Sequence, residues 1–492
     1  MNILIVGNGF DLSHYLPTKY DHFMDVMRAI EEKDLGKPIT DVLKSSVDDF
    51  PTLLIKILQL KNAFNEKNYE MSFHELFSKC REKWFIDKTK SSYSTNEIKL
   101  SFEQIVEIQY SLKSNSWYQY FAQHVREIKT WIDFEIKINE ALKVISKFIG
   151  SIDKKLDELG SFSDEISFYG EKELRQIFLT REQCNLLDTL NILNAGYFID
   201  QEDYDENGYY TVPVDIGDPE HGSLRFYIND QYIQQYSGYG KVSSDNLLNY
   251  LQKELNEFIG IFNQYLELII SKLSPTCSFS IDSKDWVKPG KIFSFNYTNT
   301  YQRLHDTVEV EYLHGSHGVE QNIVLGVSDL EDESLKKIKA YGFTKYHQKL
   351  FKDTDYLFLD KYKKKMILNQ CDFVEFKDEY RGRMSLVKEK YLKLKEESFL
   401  NLNFFIWGHS LDVSDKDYII DLFSLNDDMD RNVRVTVYHF NKAAKFDLLN
   451  NLLAILGKDK VEHWMKNKWL QFKENPKIVP ENAITLEDLP KA

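Results

Sequence analysis

The chain has 492 residues, 42% of them hydrophobic and 28% charged, an ordinary globular composition that excludes wholesale disorder and fibrous structure. A net charge of −15, from 62 basic and 77 acidic residues, excludes a broadly basic nucleic-acid-binding surface. The four cysteines, Cys80, Cys184, Cys277 and Cys371, are scattered without a C-x-x-C, which argues against a zinc ribbon or a disulfide framework and for a reducing cytoplasm. No run approaches 18 apolar residues, so no membrane-spanning helix is expected. The opening MNILIVGNGFD lacks the basic region and cleavage site of a signal peptide.

In chain order, residues 3–6 are a short β-branched run ending at Gly7-Asn8-Gly9. That pattern predicts a buried parallel strand feeding a helix, the first unit of a doubly wound α/β sheet. Residues 21–273 read as mostly helical. The clearest segments are 131–159 and 244–273, where Leu247, Leu251, Leu255, Phe258, Phe262, Leu266 and Ile269 recur at steps of three and four. Residues 201–222 read as an acidic loop or a small hairpin. Strand-like runs return at 292–295, 310–313, 323–325, 404–407 and 433–440. The expected architecture is a discontinuous parallel-sheet core (1–30, 274–330 and 400–445) with a mainly helical insertion at 31–273. A charged insertion or lid follows at 331–399, and a helical tail at 446–492. Within 331–398 there are 17 Lys or Arg against 13 Asp or Glu, a local balance of +4 that sets this insertion apart.

Four motifs carry the candidate chemistry. In Gly7-Asn8-Gly9-Phe10-Asp11 two close glycines permit a sharp turn, and the helix start offers unpaired amides. Asp11 either caps that helix or meets a ribose hydroxyl or water. In Ser294-Phe295-Asn296-Tyr297-Thr298, Asn296 either aims an amide into a crevice or forms an Asx turn. In Tyr312-Leu313-His314-Gly315, His314 is either a general base near neutral pH or a structural residue. In Gly408-His409-Ser410-Leu411-Asp412 the last position excludes a serine-hydrolase elbow, which needs a small residue there. Asp415 is expected to cap the helix carrying Tyr418-Ile419-Ile420. Asp133 and Glu135 either complement a helix dipole or line the cleft. Lys345 and Lys349 are expected to reach phosphate from the lid.

The set GNGFD…LPTKY, TWIDFE (130–135), FNYT, LHG and GHSLDVSDKD resembles the bacterial abortive-infection AbiH family of phage-defence proteins. A more distant resemblance is to sirtuins and sirtuin-like NAD hydrolases. Their G-A-G-x-S…I-P turn is similar to Gly7–Asp11 with Leu16-Pro17. Their T-x-N-x-D is similar to Ser294–Thr298, their H-G to His314-Gly315, their G-T-S-L-x-V to Gly408–Val413, and their late strand ending in Asn to Tyr438–Asn441. Asp11 and Thr298 depart from the pattern, and the four-cysteine zinc module is missing.

The resemblance implies a Rossmann-like, sirtuin-like parallel sheet that takes NAD as substrate, needs no zinc and hydrolyses the nicotinamide bond. It implies catalytic roles for Asn296 and His314. It implies nucleotide contacts from Gly7, Asn8, Gly9, Phe10, Asp11, Pro17, Gly315, Gly408, His409, Ser410 and Asn441. Expected partners are NAD+ or a related nucleotide, a phage protein trigger or partner defence subunit, and a second copy of the chain. The competing readings are a nucleotide-sensing module without turnover and a nucleic-acid-directed toxin. The toxin is suggested by Lys361, Lys363, Lys364 and Lys365, with Asp412, Asp415 and Asp417 as its metal carboxylates.

Overall fold

The computed structural model describes residues 1–44, 49–60, 66–125, 131–159, 179–198, 223–236, 239–284, 286–354, 357–381, 388–397 and 399–480. Thr130 and the acidic stretch 201–222 lie outside them.

A parallel sheet organises the chain. Its strands are β1 (Asn2–Val6), β2 (Lys291–Ser294), β3 (Val310–Tyr312), β4 (Leu402–Trp407), β5 (Val433–His439) and β6 (Leu470–Glu474), in spatial order β3-β2-β1-β4-β5-β6. Every neighbouring pair is parallel. Val6 stands opposite both Ser294 and Trp407. The chain winds outward from β1 to β3, then restarts at β4 on the other side, so the direction of winding reverses between β1 and β4.

The continuous apolar run of β1 follows from burial on both faces. Ile3, Ile5, Phe293, Phe404, Ile406, Val435 and Val437 share one core with Phe423, Leu452 and Trp464. The alternate residues Leu4, Val6, Ile292, Trp407 and Tyr438 pack on the other face with Phe10 and Tyr301.

Helices fill the long connections. After β1 come α1 (Asn8–Ser13), α2 (Tyr20–Glu31), α3 (Trp131–Leu159) and α4 (Ser244–Tyr265). Their core has an aromatic centre: Phe134 lies tilted against Phe121 at 4.0 Å and stacks on Phe258 at 5.4 Å. The expected helix 244–273 is α-helical only to Tyr265. It widens to a π-helical turn at Leu266–Ile270, a distortion that recurs at functional sites. The charged insertion holds α5 (Lys345–Phe351), α6 (Asp360–Glu379) and α7 (Lys388–Glu397). Past β4 lie α8 (Lys416–Ser424), α9 (Lys442–Leu456) and α10 (Lys458–Lys466). Among the described residues no helix is long and apolar enough to cross a membrane.

Two expectations fail. Residues 323–325 are buried but form no strand. The Gln348 side chain takes the place of a strand neighbour, accepting from Leu325 N at 3.0 Å and donating to Leu325 O at 2.9 Å. The segment 446–492, read as a helical tail, starts with α9 and α10 but then supplies β6. After it, Lys477–Pro480 pairs antiparallel with Phe279–Asp282.

Candidate functional site

The carboxyl ends of β1, β2, β3 and β4 deliver Gly7, Asn296, His314 and His409 to one cleft of about 260 Å³. It lies at the winding reversal, where open α/β sheets leave a crevice for ligands. Glycine is what brings the β1 and β4 turns together. Gly408 sits at φ +73°, and a Cβ there would fall 2.1 Å from Phe10 N. Gly7 N donates to Trp407 O at 3.1 Å and Gly9 N to Gly408 O at 2.8 Å. These amides are therefore already partnered within the protein, and α1 behind them is only six residues long.

Asn296 is buried, and its Nδ2 donates to Gly7 O at 2.9 Å, tying the β2 turn to the β1 turn. Beneath it lies Asp11, 1% exposed. Thr298 Oγ1 donates to Asp11 Oδ2 at 2.6 Å, while Oδ1 accepts no well-aligned hydrogen bond. Burial pushes the Asp11 carboxyl up to about 6, against the opposing hydrogen bonds of Thr298, Thr300 and Asn296 and the charge of Arg303.

The opposite wall is ionic. His314 Nε2 lies 3.1 Å from Asp415 Oδ1, though off the line of a good hydrogen bond. His409 Nε2 lies 3.3 Å from Asp415 Oδ2. Lys345 Nζ lies 3.2 Å from Asp415 and 2.7 Å from Glu135. Burial pushes the His314 imidazole down to about 3; Asp415 pulls it back and Lys345 adds to the depression. The expectation of a base titrating near neutrality without a large shift is thus corrected: His314 is a neutral ring at pH 7. Burial would raise the Asp415 carboxyl, but Lys345 and the histidines outweigh it and hold it well below the usual range. The Glu135 carboxyl is raised by burial despite Lys345.

A second cavity of about 510 Å³ adjoins the first, sharing Leu12, Lys19, Gly408, His409 and Ser410. Trp84, Phe85, Tyr438, His439 and Phe440 wall it.

The remaining expected residues divide. Asn8 and Ser410 line the first cavity, and Asn8 Oδ1 accepts from Thr18 Oγ1 at 2.6 Å. Phe10 turns away into the core, edge-on to Trp407 at 5.1 Å. Pro17 is buried and its carbonyl accepts from the Tyr265 hydroxyl. Gly315 serves a turn at φ +79°, where a Cβ would fall 2.0 Å from Asn322 O. Asn441 caps α9, accepting from Ala444 N at 2.9 Å.

Asp415 does not cap α8 with its side chain. A single 3₁₀ turn, Val413–Asp415, capped by Asp412 through Ser414 N at 2.9 Å, swings it inward instead. Lys345, expected on phosphate, is spent on Glu135 and Asp415. Of the two carboxylates left open in TWIDFE, Glu135 lines the cleft. Among the described residues no group of three or more His, Cys, Asp or Glu side chains is placed to hold a metal ion. Asp412, Asp415 and Asp417 therefore do not form the metal cluster of a nuclease.

The sequence model for bacteriophage abortive infection AbiH matches residues 3–439. The chain belongs to that family, and the match runs from β1 to the end of β5, through every strand that borders the cleft. No curated protein and no solved structure matches it.

Proposed function

We propose that this abortive-infection protein is a Rossmann-like, sirtuin-like NAD+ hydrolase. On activation it would break the nicotinamide–ribose bond and add water, releasing nicotinamide, ADP-ribose and a proton. The observation that carries this reading is a two-chambered cleft at the winding reversal with a buried, incompletely paired carboxylate, Asp11, in its wall. The strand order is that of dinucleotide-binding sheets. The two departures from the sirtuin pattern also answer each other. Where that pattern carries serine and aspartate, this chain carries Asp11 and Thr298, a hydroxyl–carboxylate pair with its members exchanged.

The chemistry assigns each group a task. The nicotinamide ribose lies in the first chamber, and the adenosine half in the second, beyond His409 and Ser410. Asn296 positions the ribose or the attacking water. Asp11, near 6, is ionised at neutral pH yet basic enough to take the proton from water as the oxocarbenium-like centre forms. His314 meets a ribose hydroxyl as a neutral ring, and Asp415 stabilises any imidazolium that forms. A phage protein or partner defence subunit would act on the insertions as trigger.

Incubating the purified chain with NAD+, alone and with lysate of infected cells, tests the reading through released nicotinamide. Asp11→Asn and Asn296→Ala should each lower the rate by roughly 10²-fold or more. A second reading, nucleotide sensing without turnover, is favoured by the engagement of Asn296 Nδ2 with Gly7 O. Stoichiometric NAD+ binding with no nicotinamide under any activating condition would select it.

A further inference from the structure

Asp415 is the side chain on which both insertions and the sheet converge. One carboxylate oxygen faces His314 and Lys345, and the other faces His409. Lys345 passes the link on to Glu135. The contributors come from separate stretches of chain: Glu135 from α3, Lys345 from the first turn of α5, His314 from beyond β3, and His409 with Asp415 from beyond β4. The protonation of one ring follows from its contacts. His409 Nδ1 accepts the Leu411 amide at 2.9 Å, so the neutral ring carries its proton on Nε2, pointed at Asp415.

We propose that Asp415 is the positioning residue of the site, orienting His314 and His409 from one carboxylate. Lys345 and Glu135 hold it in place, so that the site is complete only when both insertions are seated. What His314 then does to a substrate rests on the hydrolase reading; what Asp415 does to His314 does not. The groups facing His314 are Asp415, Lys345 and Lys349, with the rings of Phe295 at 5.1 Å and Tyr418 at 6.2 Å. Asp415 favours a proton on His314, and the two lysines oppose it.

The two substitutions therefore part company at His314, which a merely structural role would not produce: losing the Lys345 charge raises its titration, and losing the Asp415 charge cannot. The experiment is imidazole NMR on the full chain labelled at histidine, titrated from pH 8 downward, with folding checked by circular dichroism. Lys345→Met should raise the His314 titration by roughly 1–3 pH units, into the accessible range. Asp415→Asn should keep His314 neutral throughout and shift the Nε2 resonance of His409, whose tautomer the Leu411 amide holds. Lys345→Arg should restore the original titration. Folded Lys345→Met and Asp415→Asn proteins with unchanged histidine spectra would overturn the proposal. Should Asp415→Asn fail to fold, Lys345→Met against Lys345→Arg decides it alone. The readout needs no turnover, so a wild-type chain inert toward NAD+ would sink the hydrolase reading and leave this one standing.

Discussion

Asp11 carries a stability cost that depends on pH. Its carboxyl is raised from 3.8 to about 6, so the folded chain holds its proton more tightly than the unfolded chain does. Stability is therefore lost as pH rises through about 4 to 6, and above that window the full penalty applies, about 3 kcal/mol. Asp11→Asn should gain about 2–3 kcal/mol at pH 8 relative to its effect at pH 4, read by thermal melts at the two pH values, while losing nicotinamide release. Equal shifts at both pH values would show that the fold does not raise the Asp11 carboxyl above its unfolded value. Thr298→Val removes a donor that lowers Asp11, so the acid limb of the pH–rate profile should move upward. Asp11, Asn296, His314 and His409 were all legible in the sequence because each lies just past a buried run that ends in a turn. Asp415 and Lys345 stand out there too, but as a helix cap or metal carboxylate and as a phosphate contact; their pairing was not legible. They meet across 70 residues, and the 3₁₀ turn that swings Asp415 inward leaves no periodic trace.

At the level of elements, the β1 and β4 turns nest backbone against backbone, with no room for a side chain between them. Gly408→Ala would push a methyl into the Phe10 and Gly9 backbone at 2.1 and 2.4 Å, atoms that no rotamer change can relieve. We expect a loss of more than about 4 kcal/mol, seen as insoluble or unfolded protein. Gly260→Ala is the control: it lies inside α4 with nothing within 4 Å, and should stabilise by about 0.5–1 kcal/mol in denaturant titration. Strands β1, β4 and β5 announced themselves as apolar β-branched or aromatic runs. The sixth, Leu-Gln-Phe-Lys-Glu, alternates as a strand exposed on one side should, but follows two helices so closely that the tail reads as helical. The run 323–325 failed for the opposite reason. Its apolarity reports burial, and burial there is met by a glutamine side chain rather than a strand.

Across the whole molecule, the helical and charged insertions differ in how they attach. The first is built around one continuous hydrophobic core, which also takes in Leu335, Ala340 and Phe343 of the second. The hairpin of α6 and α7 instead leaves Ile367, Leu368, Val374 and Leu392 more than half exposed. Replacing residues 364–397 with a short glycine-serine linker should leave the melting temperature of the remainder within a few degrees, whereas Lys345→Met, which strips a buried ion pair of one partner, should cost about 3–5 kcal/mol. A large loss on hairpin removal would show that α6 and α7 support the sheet. The spatial order of the sheet also carries a consequence in time. Ile3 pairs with Lys291 on one side and Phe404 on the other. A ribosome adding roughly 5–20 residues per second would leave that first strand waiting on the order of 20–80 s for its second neighbour, while the helices between them close through local contacts. A stalled or truncated product thus carries the helical lobe without Gly408, His409 or Asp415. For a chain of a phage abortive-infection family, the cleft is then among the last parts of the molecule to be assembled.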